Sequence, residues 1–387
     1  MTIDGWTAPD FDGVRHAFEK NFANGLEIGA AFAAYHHGEK VVDLWGGVAD
    51  PTTGQPWVHD TLELVFSTTK GAAAICANRL AQEGRLDVDA PVVDYWPEFG
   101  QAGKERIPVS FLLSHQAGLA WVDEPLTLEQ ALAWDPMIHA LERQRPHWEP
   151  GTAQGYHAVT YGYLVGEVVR RITGCTLGTY FHDEIAAPLE LDFWIGLPEN
   201  EEPRVARLVG AVVGFDTDLD ESAQAELSSL LGPDSMLGKA LSPGGAFSKR
   251  GIWNDRPVHA AEIPAAAGIG DARSVARMYA ACVGSVDGVR LLTPAQLRDA
   301  TTQRTHGPNV VLFNLDLQFG LGFIVPSTLI RLGGPRSFGH FGMGGSVGWA
   351  DPDAEFAFGY VMNKMDLGVT GDARSYSLID ACYAALR

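Results

Sequence analysis

Ser67-Thr68-Thr69-Lys70 follows the short apolar run Leu62-Glu63-Leu64-Val65-Phe66 and opens the small-residue stretch Gly71-Ala72-Ala73-Ala74-Ile75-Cys76-Ala77. The stretch after it reads as a helix ending near Gly84. A serine and a lysine three apart at a helix start share one face, a turn from each other. A serine hydroxyl is a weak nucleophile until a base takes its proton, and a lysine amine is such a base only when neutral. Burial at the positive end of a helix disfavours the ammonium form. The same helix end offers a free N–H to an oxyanion. One helical turn therefore supplies a nucleophile, a base and half an oxyanion hole, which points to a serine acyl-transfer enzyme. The plain alternative makes Ser67 a helix N-cap and Lys70 a solvated first-turn residue. Lysine there opposes the helix dipole, and no other lysine of the chain has a serine three residues before it.

The rest of the composition narrows the class. The chain has 387 residues, 46% hydrophobic and 20% charged, with a net charge of −20. That length gives a large core and a substantial second lobe. The negative field repels nucleic acid and anionic membrane surfaces, so neither is expected as a partner. No run is long enough to span a membrane, and the N-terminus shows no secretory signal. Cys76, Cys175, Cys282 and Cys382 are far apart and form no C-x-x-C, so buried free thiols are expected. A cytoplasmic globular protein follows, of unassigned oligomeric state.

Outward from the tetrad, residues 28 to 47 read as a β-hairpin turning at His36-His37-Gly38-Glu39. The two histidines are expected on opposite faces of a strand without further ligands, so no metal is expected. Helices are predicted from Pro108 to Gly118, as one amphipathic helix over 127–143, over Tyr161–Ile172, over Asp271–Val283 and from about Ser375. The segment 198–266 is rich in Gly, Pro, Ser and acidic residues, with a helix near 217–231, and reads as a lid or pocket wall. The tail turns β-rich at Gly320–Val325, Ser346–Ala350 and Phe356–Met362. Strands at both ends with helices between predict an α+β fold. Residues 1–85 and 267–387 would form an antiparallel sheet flanked by helices. Residues 86–266 would be an inserted, mainly helical lobe.

Three other motifs matter. Gly344-Gly345-Ser346-Val347-Gly348 fits G-x-S-x-G, but that elbow needs a strand, a turn and then a helix. Here a second strand follows, and no histidine lies after His340. Ser346 is therefore not expected to be the nucleophile. Tyr156-His157-Ala158 precedes a helix, and a tyrosine near a neutral lysine relays a proton. Gly339-His340-Phe341-Gly342-Met343-Gly344-Gly345 packs glycines before a strand, where backbone approaches a ligand closely. It fails the dinucleotide G-x-G-x-x-G pattern, since Val347 stands at the last position.

In this order, these elements resemble the serine β-lactamase and penicillin-binding-protein superfamily, and within it most of all the family VIII carboxylesterases. The resemblance also rests on Leu112-Leu113-Ser114-His115-Gln116-Ala117-Gly118-Leu119 and Glu149-Pro150-Gly151-Thr152, and covers nearly the whole chain. It implies a β-lactamase/transpeptidase-like fold with Ser67 acylated, Lys70 as base, and Tyr156 as partner of Lys70 and proton donor to the leaving group. The N–H groups of Ser67 and Met343 would hold the oxyanion. His340-Phe341-Gly342 stands in place of the family's Lys-Thr-Gly, and Ala158 in place of an asparagine that holds a substrate amide. Losing a lysine and an amide weakens binding of an anionic amide and leaves a neutral ester unaffected. A small-molecule ester is thus the expected substrate, with no metal and no organic cofactor. His340, Gly342, His157, Trp349 and Trp253 are the expected substrate contacts. A β-lactamase, a D-amino-acid peptidase or amidase, an acyltransferase and a non-catalytic scaffold remain alternatives.

Overall fold

A computed structural model of the chain describes residues 2–210, 231–330, 332–366 and 370–387. The helix expected near 217–231 falls almost wholly outside these residues. The strands are β1 (Ile3–Thr7), β2 (Gly29–His36), β3 (Glu39–Asp50), β4 (Gln55–Pro56), β5 (Glu63–Leu64), β6 (Phe193–Ile195), β7 (Val209–Gly210), β8 (Gly268–Gly270), β9 (Gln318–Phe319), β10 (Ile324–Val325), β11 (Phe338–Phe341), β12 (Val347–Asp351), β13 (Phe356–Met362) and β14 (Lys364–Met365). Nine of them form an antiparallel sheet in the order β1-β3-β2-β13-β12-β11-β10-β9, with β4 beside β3. The sheet thus joins the two ends of the chain, the fold class that the sequence implies. The segment between them also feeds strands back: β6 pairs with β8, and β7 with β14.

β2 (Gly-Ala-Ala-Phe-Ala-Ala-Tyr-His) and β13 (Phe-Ala-Phe-Gly-Tyr-Val-Met) are apolar along nearly their whole length because helices cover both faces. Five helices position the site: α1 (Asp12–Ala23), α2 (Thr69–Gln82), α3 (Thr160–Thr173), α4 (Ala272–Val283) and α5 (Ala373–Ala385). α4 crosses one face over the paired Gly348 and Gly359. A Cβ there would lie 2.5 Å from the Tyr279 ring and 2.4 Å from the Ala272 carbonyl, so only glycine permits this approach. α1 and α5 pack together on the other face, where Phe356 meets Phe11 and Tyr383. α2 is buried on nearly every side, as its alanine-rich sequence requires, against α3, β11 and the short helices Leu177–Phe181 and Pro294–Thr301.

Three local expectations change. The 127–143 helix is two, Leu128–Leu132 and Asp135–Arg143, broken at Trp134 with φ +68°. Pro136 explains the break: it has no N–H to donate and its ring would clash with the carbonyl four residues back, so it is tolerated only in a helix's first turn, where it stands. Gly320–Val325 is not one strand but the turn and second arm of the β9–β10 hairpin, with Gly322 at φ +88°. His36 and His37 do not diverge, because His37 turns the chain at φ +50° and the two rings lie 4.0 Å apart.

Candidate active site

The turn carrying Ser67 is built under strain and held from several sides. Phe66 sits at φ +44°, a costly conformation for a bulky residue. The next N–H groups close tight turns: Thr68 onto Val65 O at 3.2 Å, Thr69 onto Phe66 O at 2.9 Å and Lys70 onto Ser67 O at 3.0 Å. The Thr69 hydroxyl donates to Phe66 O and accepts from Gly268 N–H, tying the turn to β8. α2 then begins at Thr69, and Ser67 is left half-buried at its mouth with no capping role.

Lys70 Nζ is fully buried and has three oxygen neighbours: Ala158 O at 2.7 Å, Ala265 O at 2.9 Å and Ser67 Oγ at 3.0 Å. Carbonyls only accept. They take both N–H bonds of a neutral amine and turn its lone pair toward Ser67 Oγ. Burial holds the Lys70 pKa well below the usual lysine range, which favours that neutral form. The Tyr156 ring lies 4.8 Å from Nζ, so the phenol stands beside both Lys70 and Ser67. Burial raises the Tyr156 pKa, so the phenol keeps its proton. Asn309 holds Tyr156 from behind: its Oδ1 accepts the Tyr156 N–H at 3.0 Å and the Leu312 N–H at 3.0 Å.

Three buried histidines surround this group. His157 Nε2 accepts the Leu119 N–H at 3.0 Å and Nδ1 faces Gly155 O at 2.6 Å, so both nitrogens are used by backbone. With both nitrogens engaged, the ring has no polar atom left over for the expected substrate contact. His115 lies with its ring 4.9 Å from that of Tyr156, and its Nδ1 accepts the His157 N–H at 3.1 Å. His340 comes from β11, its ring 6.1 Å from that of Tyr156. Its Nδ1 donates to Phe341 O at 2.7 Å, which leaves Nε2 a buried acceptor with no partner. Burial first, then Lys70, lowers His340 to about 3, so this position is neutral at physiological pH. Burial likewise lowers His157 to about 3.

The glycine-rich turn between β11 and β12 packs against the serine turn. A Cβ on Gly342 would lie 2.2 Å from Val65 O and 2.1 Å from Ser346 Oγ, so the two backbones touch there. Ser346 Oγ donates to Val65 O at 2.8 Å and lies 3.0 Å from Thr68 Oγ1. Ser346 is therefore a buried strut in a hairpin, not the tip of an elbow. Gly342 N–H bonds Ser346 O at 2.8 Å and Gly345 N–H bonds Gly342 O at 3.2 Å. Among the hydrogen bonds of the described residues, none uses the N–H of Ser67 or of Met343.

The two tryptophans part company. Trp253 packs 5.1 Å from Phe66 and stacks on Phe247, which sets it beside the serine turn. Trp349 lies one residue on from Gly348, so it points to the opposite face of the sheet, against Phe341. It is wholly buried, with its indole N–H on Leu332 O, and does not reach Ser67. The sequence missed the carbonyls of Ala158 and Ala265, which carry no side-chain signal, and the brace from Asn309. His115 stood within a quoted motif without a role. Among the described residues no cluster of His, Cys, Asp or Glu is placed to hold a metal ion, and no helix is long and apolar enough to cross a membrane.

The beta-lactamase family profile matches residues 18–382. The chain belongs to the beta-lactamase family. It is 35% identical to Esterase/beta-lactamase LipL of Mycobacterium tuberculosis over 379 residues, spanning 94% of this chain and 83% of that protein. The crystal structure of a family VIII carboxylesterase matches with a TM-score of 0.89 and 39% identity over 100% of both chains. A penicillin-binding protein homologue from Caulobacter crescentus matches with 0.87 and 39%, again over 100% of both chains. The beta-lactamase/transpeptidase-like fold and the likeness to family VIII carboxylesterases both follow.

Proposed function

We propose that this beta-lactamase-family chain is a serine carboxylesterase that cleaves small neutral esters through an acyl-enzyme on Ser67. The observation that carries it is Lys70 Nζ, bonded by two backbone carbonyls so that its remaining valence meets Ser67 Oγ at 3.0 Å. Lys70 takes the Ser67 proton as Oγ attacks the ester carbonyl. The N–H groups of Ser67 and Met343 receive the oxyanion, a contribution of about 10²–10³ per donor in comparable enzymes. Tyr156 gives its proton to the departing alkoxide and recovers one from Lys70. Water then attacks the acyl carbon, Lys70 or Tyr156 takes its proton, and the acid leaves with Ser67 restored.

Esters are favoured over anionic amides because His340 is a neutral acceptor where a carboxylate would need a cation, and Ala158 offers no side-chain donor. Phe247 and Trp253 contribute a pocket wall in this reading. Four unpaired cysteines, three of them buried, support a reducing, cytoplasmic compartment. Turnover of p-nitrophenyl acetate and butyrate by wild type and Ser67→Ala tests the proposal. Loss of roughly a thousandfold or more is expected, and full activity in Ser67→Ala refutes it. LipL's double name favours a second reading, a β-lactamase activity on the same serine. Turnover of a chromogenic cephalosporin at a rate matching p-nitrophenyl butyrate would support that reading.

A further inference from the structure

The Gly342–Ser346 turn has little conformational preference of its own. Gly344 and Gly345 sit at φ +89° and +127°, backbone states that only glycine adopts freely. Beside the turn's own bonds and that of Ser346 Oγ to Val65 O, a buried guanidinium from the start of α5 holds it from outside. Arg374 Nη2 donates to Gly344 O at 2.7 Å and Nη1 donates to Lys364 O at 2.6 Å. Asp366 N–H also donates to Gly344 O, at 3.1 Å. A Cβ on Gly345 would lie 2.6 Å from Arg374 Nη2, so glycine there admits the guanidinium.

Arg374 is itself clamped. Its Nε bonds Asp372 Oδ2 at 3.0 Å, and Nη1 lies 3.4 Å from Glu27 Oε2. Glu27 in turn accepts the Tyr360 hydroxyl from β13. Arg374 is 3% exposed and Glu27 5%. A buried ion pair is weak evidence of stability, since desolvation cancels most of its attraction. What the planar fork provides is a fixed relation between two carbonyls, which a lysine point charge does not give.

We propose that Arg374 is a positioning residue for the oxyanion hole: through the Gly344 carbonyl it fixes the turn that presents the Met343 N–H. Arg374 touches no substrate and acts only through this turn. The proposal rests on the serine-esterase reading above and on Met343 as an oxyanion donor.

The test compares p-nitrophenyl butyrate with its thiono analogue, in which sulfur replaces the carbonyl oxygen and fits an oxyanion hole poorly. The oxo/thiono ratio of kcat for wild type is referred to the same ratio for hydroxide in water. A wild-type ratio far above that reference is expected; a ratio equal to it overturns the oxyanion reading and this proposal with it. Given the high ratio, Arg374→Lys is expected to lower kcat for the oxo ester about 10–100-fold with KM within about threefold. The thiono rate should change much less, so the ratio collapses. Equal losses on both substrates, or an unchanged oxo rate, would overturn the proposal and make Arg374 a purely structural residue. Glu27→Gln covers the case of a variant that does not fold, since it keeps the shape and the Tyr360 contact while loosening the clamp. A ratio lowered several-fold in Glu27→Gln supports the proposal, and a wild-type ratio there counts against it.

Discussion

Replacing Gly342 by alanine adds a single methyl group where two backbones meet. The new Cβ would lie 2.2 Å from Val65 O, 2.1 Å from Ser346 Oγ and 3.1 Å from Thr68 Oγ1. Ser346 Oγ belongs to a short side chain that can rotate away, at the cost of its bond to Val65 O. Val65 O is backbone, two residues before Ser67, and cannot. Relief to an ordinary contact requires about 1 Å of separation between the glycine turn and the serine turn. Overpacking of this kind costs about 1–3 kcal/mol. Its catalytic effect is larger, because a misplacement of about 1 Å at reacting groups costs on the order of 100-fold. Gly342→Ala is therefore expected to fold, to melt a few degrees lower, and to lose about 100–1000-fold in kcat for p-nitrophenyl butyrate. Adding Ser346→Ala removes one collision and leaves the other, so the double variant should recover only a small part of that loss. Thermal melts and steady-state kinetics on the two single variants and the double variant decide it. A Gly342→Ala protein within threefold of wild-type kcat, or full recovery in the double variant, would show that the two backbones are not packed as described.

Further outcomes follow from the same site. Ser346→Ala alone removes the bonds to Val65 O and Thr68 Oγ1 and should cost about 1 kcal/mol while keeping at least a tenth of wild-type kcat; an inactive but folded variant would restore Ser346 as a nucleophile. Lys70→Met should lose about a thousandfold or more in kcat. Because burial holds Lys70 below its unfolded value of 10.5, wild type gains stability relative to Lys70→Met as pH rises toward that value, at up to about 1.4 kcal/mol per unit. Parallel urea melts at pH 7 and pH 9 check this, and a pH-independent difference refutes it. His157 and His340 are lowered to about 3 against 6.5 for an unfolded histidine. Their neutral forms support the fold fully above pH 6.5, and that support drains away as pH falls toward 3, each by up to about 1.4 kcal/mol per unit. A melting temperature constant between pH 7 and pH 4 would contradict this.

The parts of the fold legible in the sequence are those with a local signal. The hairpin of β2 and β3 shows in apolar runs around a Gly38 turn, and α2 in its small helix formers. The serine and lysine of α2 are three residues apart, so their proximity is a matter of helix geometry. Sheet order is different: strands at both chain ends point to one shared sheet, but the pairing of β13 with β2 across more than 300 residues of chain has no local signal. The helix over 127–143 was misread because its apolar spacing runs through Asp135-Pro136, where the proline imposes a break that periodicity alone does not weigh. Trp349 was misplaced for want of strand register, which sets it opposite the face of Gly348 and His340. The carbonyls that hold Lys70 could not be named at all, since Ala158 and Ala265 act through backbone, and any residue has a carbonyl. His157 looked functional for its place beside Tyr156, yet in the fold its ring satisfies two backbone groups.

The central claim is that Ser67 is the residue acylated, with Lys70 as its base. Rapid acid quench during turnover of p-nitrophenyl butyrate, followed by digestion and mass spectrometry, tests it most directly. The account predicts a butyryl adduct on the peptide containing Ser67, absent in Ser67→Ala and much slower to form in Lys70→Met. An adduct on Ser346 or on another residue, with Ser67 unmodified, would contradict it.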